Sequence, residues 1–173
     1  MKKTLIAFYS RAGQNYVNGD IVDLAVGNTE VVARKIQHLL QDADLFKIDT
    51  VKEYPVDYMR TTEVAKEELR RDVRPELTAE VGDMAQYDTI ILGYPNWWGT
   101  MPMAVLTFLE SYDFARKTII PFCTHEGSGM GHSVSDIKQA CPGAKVLDGT
   151  PIHGSTAPQA DRQAATIANK VDQ

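Results

Sequence analysis

The loop that follows the first apolar run of the chain combines a hydroxyl group with the start of a predicted helix. The loop begins Ser10-Arg11-Ala12-Gly13, and the predicted helix begins Gly27-Asn28-Thr29. Hydroxyls, small residues and free backbone N–H groups at a helix start can bind a phosphate. The simpler interpretation is helix capping, because Asn and Thr are favoured at such positions. On these residues alone, both interpretations stay open.

Both tryptophans of the chain stand together in a second predicted loop, which reads Pro95-Asn96-Trp97-Trp98-Gly99. Trp is most often packed in a core, but two large rings in a loop favour a surface that a flat ligand covers. Ligand pockets are typically lined by aromatic side chains with a few placed polar groups. The pair therefore predicts a stacking site.

A third predicted loop contains glycines at alternate positions between two histidines. It runs from Thr124 to His132 and includes His125, Glu126, Gly127, Ser128 and Gly129. Glycines allow a backbone to approach a ligand closely, although a flexible surface loop would have the same composition. The glycine spacing differs from the G-x-G-x-x-G fingerprint of dinucleotide-binding folds, and the loop follows the fourth predicted strand.

The elements that position these loops alternate between strand and helix along the whole chain. The predicted strands are Thr4 to Tyr9, Leu45 to Ile48, Thr89 to Tyr94, Lys117 to Thr124 and Ala144 to Leu147. The predicted helices are Thr29 to Gln41, Thr61 to Arg74, one starting around Pro102, Ser133 to Ala140, and about Pro158 to Val171. Such alternation predicts a parallel sheet covered on both faces, in a doubly wound α/β domain. The three loops would then meet at the carboxyl ends of the strands, where open sheets bind ligands.

Two segments depart from the simple pattern. Pro121 lies inside the fourth predicted strand, where a central position would normally need its missing N–H. Between the first strand and the first helix, Gln14 to Val26 is centred on Asn18-Gly19, which predicts a two-residue hairpin.

Length, charge and cysteine content narrow the class of protein. The 173 residues suit one domain spanning 1–173, and 18 basic against 23 acidic residues give a net charge of −5. We therefore expect neither nucleic acid nor a membrane as a partner. Cys123 and Cys141 are too few for a disulfide framework, and the histidines show no metal-ligand spacing. We expect a reduced, cytoplasmic protein without a metal, in which Cys123 is a small buried hydrophobe.

Taken together, the three loops resemble those of the flavodoxin-like family, in particular its bacterial flavodoxins and NAD(P)H-dependent flavin oxidoreductases. Ser10, Asn28 and Thr29 match the ends of that family's phosphate cradle, although Asn28 lies 18 residues after Ser10 because of the inserted hairpin. The resemblance implies a three-layer sandwich with a five-stranded parallel sheet in the order 2-1-3-4-5 and a small hairpin insertion after strand 1. It also implies FMN as cofactor.

On this resemblance, the first loop would hold the FMN phosphate and the other two loops would flank the flavin ring. The implied cofactor-binding residues are Ser10, Arg11, Asn15, Gly27, Asn28, Thr29, Pro95, Asn96, Trp97, Trp98, Gly99, Thr124, His125, Glu126, Gly127, Ser128 and Gly129. His125 would stabilise charge on the reduced ring, and no other residue is assigned a catalytic role.

Two functions fit this cofactor. An oxidoreductase would pass electrons from NAD(P)H through FMN to a quinone or similar small acceptor, whereas a flavodoxin-type shuttle would exchange electrons with a redox protein. The modest net charge and a third loop without Phe, Tyr or Trp favour the enzyme. A phospho-receiver domain is excluded, because Ser10-Arg11 and Tyr94-Pro95-Asn96 stand where its acids are required. A homodimer is a further expectation.

Overall fold

The computed structural model describes residues 3–172 as a parallel sheet between helical layers. Its strands are β1 (Thr4–Tyr9), β2 (Gly13–Val17), β3 (Asp20–Leu24), β4 (Asp44–Ile48), β5 (Thr89–Pro95), β6 (Thr118–His125), β7 (Lys145–Val146) and β8 (Thr150–His153). Its α-helices are α1 (Asn28–Leu39), α2 (Tyr58–Arg71), α3 (Met103–Glu110), α4 (Ser133–Ala140) and α5 (Asp161–Asn169). The sheet order β4-β1-β5-β6-β7 confirms the predicted 2-1-3-4-5 arrangement.

Burial on both faces explains why β1 reads as a continuous apolar run. Ile6 and Phe8 pack towards α1 and α5, while Leu5, Ala7 and Tyr9 belong to the core on the opposite face with α3 and α4. All six residues of β1 are buried, as are the first six of β5. Central strands of a parallel sheet have this pattern because helices cover both faces.

The inserted segment after β1 forms the predicted hairpin from β2 and β3. Val17 pairs with Asp20 across a turn made by Asn18 and Gly19, whose φ angles are 52° and 88°. Two positive φ angles in a two-residue loop are typical of a type I′ turn, which suits the right-handed twist of the strands. The hairpin is a separate two-stranded sheet.

The edge strand beside β6 is divided, which explains how Pro121 fits into the sheet. The carbonyl groups of Lys117 and Ile119 each accept a hydrogen bond at 2.9 Å on the β7 side of β6. Pro121 is two residues further on and faces the same edge, because alternate residues of a strand bond to the same neighbour. β7 ends before this point and β8 pairs from Phe122 onward, so the missing N–H lies in the gap. The fifth sheet position, predicted as Ala144 to Leu147, is therefore filled by two short strands.

The first helix is α1 (Asn28–Leu39) against the predicted Thr29 to Gln41, and two other helices differ more from prediction at their ends, for local reasons. α2 starts earlier than predicted because the Asp57 side chain accepts a hydrogen bond from Arg60 N–H, and it ends at the left-handed Asp72. The last helix starts with a 3-10 turn over Gly154–Gln159, which contains Pro158, before α5 begins. Within residues 3–172, no helix combines the length and apolar character needed to cross a bilayer.

Candidate functional site

A cleft at the carboxyl edge of the sheet brings together residues from all three predicted loops. We call it the first cleft, and it is lined by Arg11, Asn15, Tyr16, Asn28, Thr29, Tyr58, Pro95, Asn96, Trp97, Thr124, His125, Glu126, Ser128 and Gly154. The other predicted site residues stand outside this lining: Ser10, Gly27, Trp98, Gly99, Gly127 and Gly129. The cleft lies where open α/β sheets bind ligands.

The start of α1 forms one end of the first cleft. Ser10 Oγ accepts a hydrogen bond from Glu30 N–H at 3.1 Å, so this hydroxyl caps the helix from the preceding loop. The N–H groups of Asn28 and Thr29 belong to the first turn of α1 and therefore have no partner within the helix. Gly27 is required here, because a Cβ would lie 2.5 Å from the Arg11 carbonyl oxygen.

The hydroxyl of Thr29 lies next to that of Thr124. Their Oγ atoms are 2.8 Å apart, and both side chains are buried. This hydrogen bond joins the start of α1 to the end of β6. Sequence reasoning placed both residues at the site, but the contact between them depends on the sheet geometry.

Arg11 supports the hairpin through hydrogen bonds to backbone carbonyl groups and also lines the cleft. Its guanidinium donates to the carbonyl oxygens of Gln14 at 2.9 Å, Pro55 at 3.0 Å and Val56 at 3.0 Å. The Asn15 amide likewise donates to backbone, at 2.8 Å from Arg11 O. These bonds connect the base of the hairpin to the segment that precedes α2.

Asn96 connects the second loop to the third. Its side-chain oxygen accepts from Gly99 N–H at 2.9 Å, and its amide nitrogen donates to Gly129 O at 2.9 Å. Its own backbone N–H donates to Thr124 O at 2.8 Å. The Asn96 side chain therefore fixes the second and third loops relative to each other. Gly99 and Gly129, which form these bonds, adopt positive φ angles that favour glycine.

The two tryptophans have different environments. Trp97 packs edge-on against Tyr9 and Tyr54, with ring centroids 5.3 and 5.2 Å away, and also lines the cleft. Trp98 has a φ of 59° and is 50% exposed, and its indole N–H donates to Thr62 O at 2.9 Å. Trp98 is therefore the more exposed ring, whereas Trp97 is half-buried, with part of its surface packed against the core.

Two imidazoles and a carboxylate meet beside the third loop. The rings of His125 and His153 are 5.6 Å apart, and Glu126 Oε2 lies 3.6 Å from His153 Nε2 and 3.4 Å from Asn18 N. The other carboxylate oxygen, Oε1, is buried without a hydrogen-bond partner among the described residues. His153 and the hairpin turn were not predicted to approach Glu126.

Burial, and secondarily the neighbouring His153, lowers the pKa of His125 below its ordinary value. The imidazole is therefore neutral near pH 7. Its Nδ1 accepts a hydrogen bond from Gly127 N–H at 2.9 Å, which assigns the ring proton to Nε2. His125 consequently offers an N–H donor at the cleft and no positive charge.

Sequence reasoning missed Tyr16, Tyr58 and Gly154, which all line the first cleft. Tyr16 could have been found from the hairpin, since it precedes the predicted turn by two residues. The positions of Tyr58 and Gly154 depend on long connections that carry no local signal. Cys123 is buried, as predicted, and burial raises the pKa of its thiol to about 12.

The fold and the cleft define a flavodoxin-like α/β protein, and comparisons with known proteins agree. The family model for flavodoxin matches residues 22–166, so the chain belongs to the flavodoxin family. No curated protein matches the sequence.

Three solved structures illustrate the likeness. A candidate flavoprotein from Bacteroides eggerthii is 25% identical, with a TM-score of 0.74, and the match covers 98% of this chain and 99% of that chain. A candidate flavoprotein from Bacteroides uniformis is 26% identical, with a TM-score of 0.72 and 99% of each chain covered. A flavoprotein from Lactobacillus acidophilus, solved in complex with FMN, shares the fold at 23% identity and a TM-score of 0.66, over 92% of this chain and 98% of that chain.

Proposed function

We propose that this chain binds FMN in the first cleft and acts as an oxidoreductase, taking electrons from NAD(P)H and passing them to a quinone or similar small acceptor. One observation carries the proposal: a single cleft connects the first turn of α1 with the loops after β5 and β6. That arrangement suits a ligand with an anionic group at one end and a flat ring at the other. The family match and the FMN complex of the Lactobacillus acidophilus protein support the choice of FMN.

The end of the cleft at α1 fits a phosphate. The N–H groups of Asn28 and Thr29 lie at the positive end of the helix dipole. Gly154 allows its segment to pack closely against this end, because a Cβ there would lie 2.8 Å from Asn28 Nδ2 and 2.8 Å from Glu126 Oε1. Asn28 and Thr29 would therefore hold the phosphate through N–H groups, with Arg11 supporting the loop through its bonds to backbone carbonyl groups.

The opposite end of the cleft fits a flat heterocycle. Pro95, Asn96 and Trp97 line the cleft from the second loop, and His125 and Ser128 line it from the third loop. His125 would donate from Nε2 to an electron-rich edge of the ring, an interaction that strengthens as negative charge develops there. FMN, when bound, supplies the two-electron chemistry that no side chain of the cleft can perform.

In the overall reaction, NAD(P)H transfers a hydride and a proton comes from solvent. The quinone gains two electrons and two protons and leaves as the hydroquinone, while NAD(P)⁺ is released. An electron shuttle would not need access for a nicotinamide. The third loop contains no Phe, Tyr or Trp, which favours a cleft open to a small substrate.

The test uses the protein loaded with FMN and freed of excess cofactor. Mixed anaerobically with NADH or NADPH, it should lose its visible absorbance faster than free FMN at the same concentration. Steady-state turnover with menadione should give parallel double-reciprocal lines, as expected of ping-pong kinetics. Reduction no faster than that of free FMN would favour the shuttle, and a failure to retain FMN would contradict the whole proposal.

A further inference from the structure

The two oxygens of the Glu126 carboxylate have different surroundings. Oε2 accepts a hydrogen bond from Asn18 N–H at 3.4 Å and lies 3.6 Å from His153 Nε2. Oε1 is buried, and within residues 3–172 it is the only buried side-chain nitrogen or oxygen atom without a hydrogen-bond partner. Glu126 lines the first cleft, so the unpaired oxygen belongs to the wall of the proposed cofactor site.

A buried carboxylate oxygen without a partner is unfavourable, because burial removes the water that would otherwise donate to it. The contacts of Oε2 with the hairpin tip and with His153 fix the orientation of the carboxylate, but they leave Oε1 unpaired. A hydrogen-bond donor on a bound ligand would remove this cost. The unpaired oxygen therefore indicates that the ligand carries a donor group beside Glu126.

The position of Oε1 identifies the part of the ligand that would lie beside it. A Cβ on Gly154 would be 2.8 Å from Glu126 Oε1 and 2.8 Å from Asn28 Nδ2, so both atoms approach the same point. Asn28 belongs to the first turn of α1, where the phosphate is proposed to bind. His125, the preceding residue, is assigned above to the flavin ring. Glu126 therefore lies between the phosphate end and the ring end of the cleft.

The charge of Glu126 limits which ligand group can approach it. A phosphate has acceptor oxygens and negative charge, so a neighbouring carboxylate repels it. The chain that joins the phosphate to the ring of FMN is a ribityl group, whose hydroxyls are neutral donors. A hydroxyl of this chain satisfies Oε1 without opposing charges of the same sign.

We propose that Glu126 determines specificity for the polyol chain of the cofactor, and that its Oε1 accepts a hydrogen bond from a ribityl hydroxyl. The inference rests on the proposed function, since it requires FMN in the first cleft. The inserted hairpin then contributes to cofactor recognition, because Asn18 N–H orients the carboxylate. A flavin that lacks the matching hydroxyl would leave Oε1 unpaired and bind more weakly.

The test is a binding measurement on FMN-free protein, followed by flavin fluorescence. Wild type and Glu126→Ala are titrated with FMN and with FMN analogues that each lack one ribityl hydroxyl. In the wild type, the analogue without the partner hydroxyl should bind roughly ten- to hundredfold more weakly than FMN, as expected for a hydrogen bond to a charged group. In Glu126→Ala the same analogue and FMN should bind almost equally.

The ratio of the two dissociation constants is the quantity compared, because any effect of the lost charge on the phosphate cancels in it. Glu80→Ala removes an exposed carboxylate that does not line the first cleft, and should keep the wild-type ratio. Glu126→Gln keeps an acceptor oxygen without the charge, and should keep part of the ratio.

The same ratio in wild type and Glu126→Ala for every analogue would overturn the inference. Tighter binding of FMN but not of riboflavin, which has the ribityl chain without the phosphate, would accompany that result if Glu126 acted only on the phosphate. A wild-type protein that does not bind FMN at all would refute the proposed function itself, and the role of Glu126 with it.

Discussion

The hydroxyl groups of Thr29 and Thr124 form a hydrogen bond that connects α1 to the sheet. The two oxygens share one hydrogen bond in a buried environment. Both side chains are almost fully buried, so removing one hydroxyl leaves the other with little compensation.

Thr29→Val should lower the free energy of unfolding of the FMN-free protein by about 1–3 kcal/mol, because the Thr124 hydroxyl then stays buried and unpaired. Thr29→Val combined with Thr124→Val should cost less than the sum of the two single changes. Urea unfolding of the four proteins measures this coupling. FMN affinity should change little, since the N–H of residue 29 is retained. A loss of affinity by about tenfold in the folded variant, with additive stabilities, would instead place the hydroxyl on the phosphate.

His125 should make the protein less stable as the pH falls. Its pKa is lowered in the folded state, so the unfolded chain binds more protons near the ordinary His value and stability rises with pH through that window. The stability lost between pH 8 and pH 5.5 should therefore be smaller in His125→Gln than in the wild type. Urea unfolding at the two pH values tests this, with His38→Gln on the exposed side of α1 as the control for losing an imidazole. An identical pH dependence in wild type and His125→Gln would contradict the assignment.

At the scale of elements, the hairpin is the part of the molecule that most distinguishes the site. Its base is held by Arg11 and by the Gln14 side chain, which accepts from Tyr58 N–H at 2.8 Å. Its tip approaches Glu126 through Asn18 N–H. The hairpin therefore touches both α2 and the third loop, and spans the cleft between them.

Gly19→Val should destabilise the hairpin, because residue 19 has a φ of 88° that a β-branched side chain strongly disfavours. The expected cost is about 1–3 kcal/mol, and limited proteolysis should cut faster between β2 and β3. Gly82→Val is the matched control, since a Cβ at Gly82 would meet nothing within 4 Å. Equal proteolysis of the two variants would show that the turn conformation does not hold the hairpin.

The elements with strong local signals were predictable from the sequence, and those determined by tertiary contacts were not. β1, β5 and the hairpin follow from a buried apolar run, a second such run and an Asn-Gly pair. β8 was missed because it contains Pro151, and its pairing with β6 depends on the gap opposite Pro121. Trp97 illustrates the same limit within the site, since its contacts with Tyr9 and Tyr54 require the folded sheet.

At the scale of the whole molecule, ligand binding should appear as a gain in stability. At a free FMN concentration about 100 times its Kd, the gain is about 2.7 kcal/mol, which for a chain of this size raises Tm by roughly 5–11 °C. FAD at the same concentration should raise Tm by less, because the sequence contains no second nucleotide fingerprint for its adenylate half. Thermal unfolding with each flavin measures the difference. An equal or larger shift with FAD would contradict FMN as the preferred cofactor.

The division of the edge strand into β7 and β8 affects how parts of the native protein open locally. β7 pairs with Thr118 and Ile119 only, whereas β8 pairs with the last four residues of β6 and leads directly into Gly154 at the first cleft. Since the two segments do not form a continuous ladder, each can detach from β6 separately, and their amide protons report different opening equilibria. In hydrogen exchange, a ligand in the first cleft should slow the amides of Thr150, Ile152 and His153 while those of β7 keep their rate. Equal slowing in both segments would show that the edge opens as one unit, despite the break opposite Pro121.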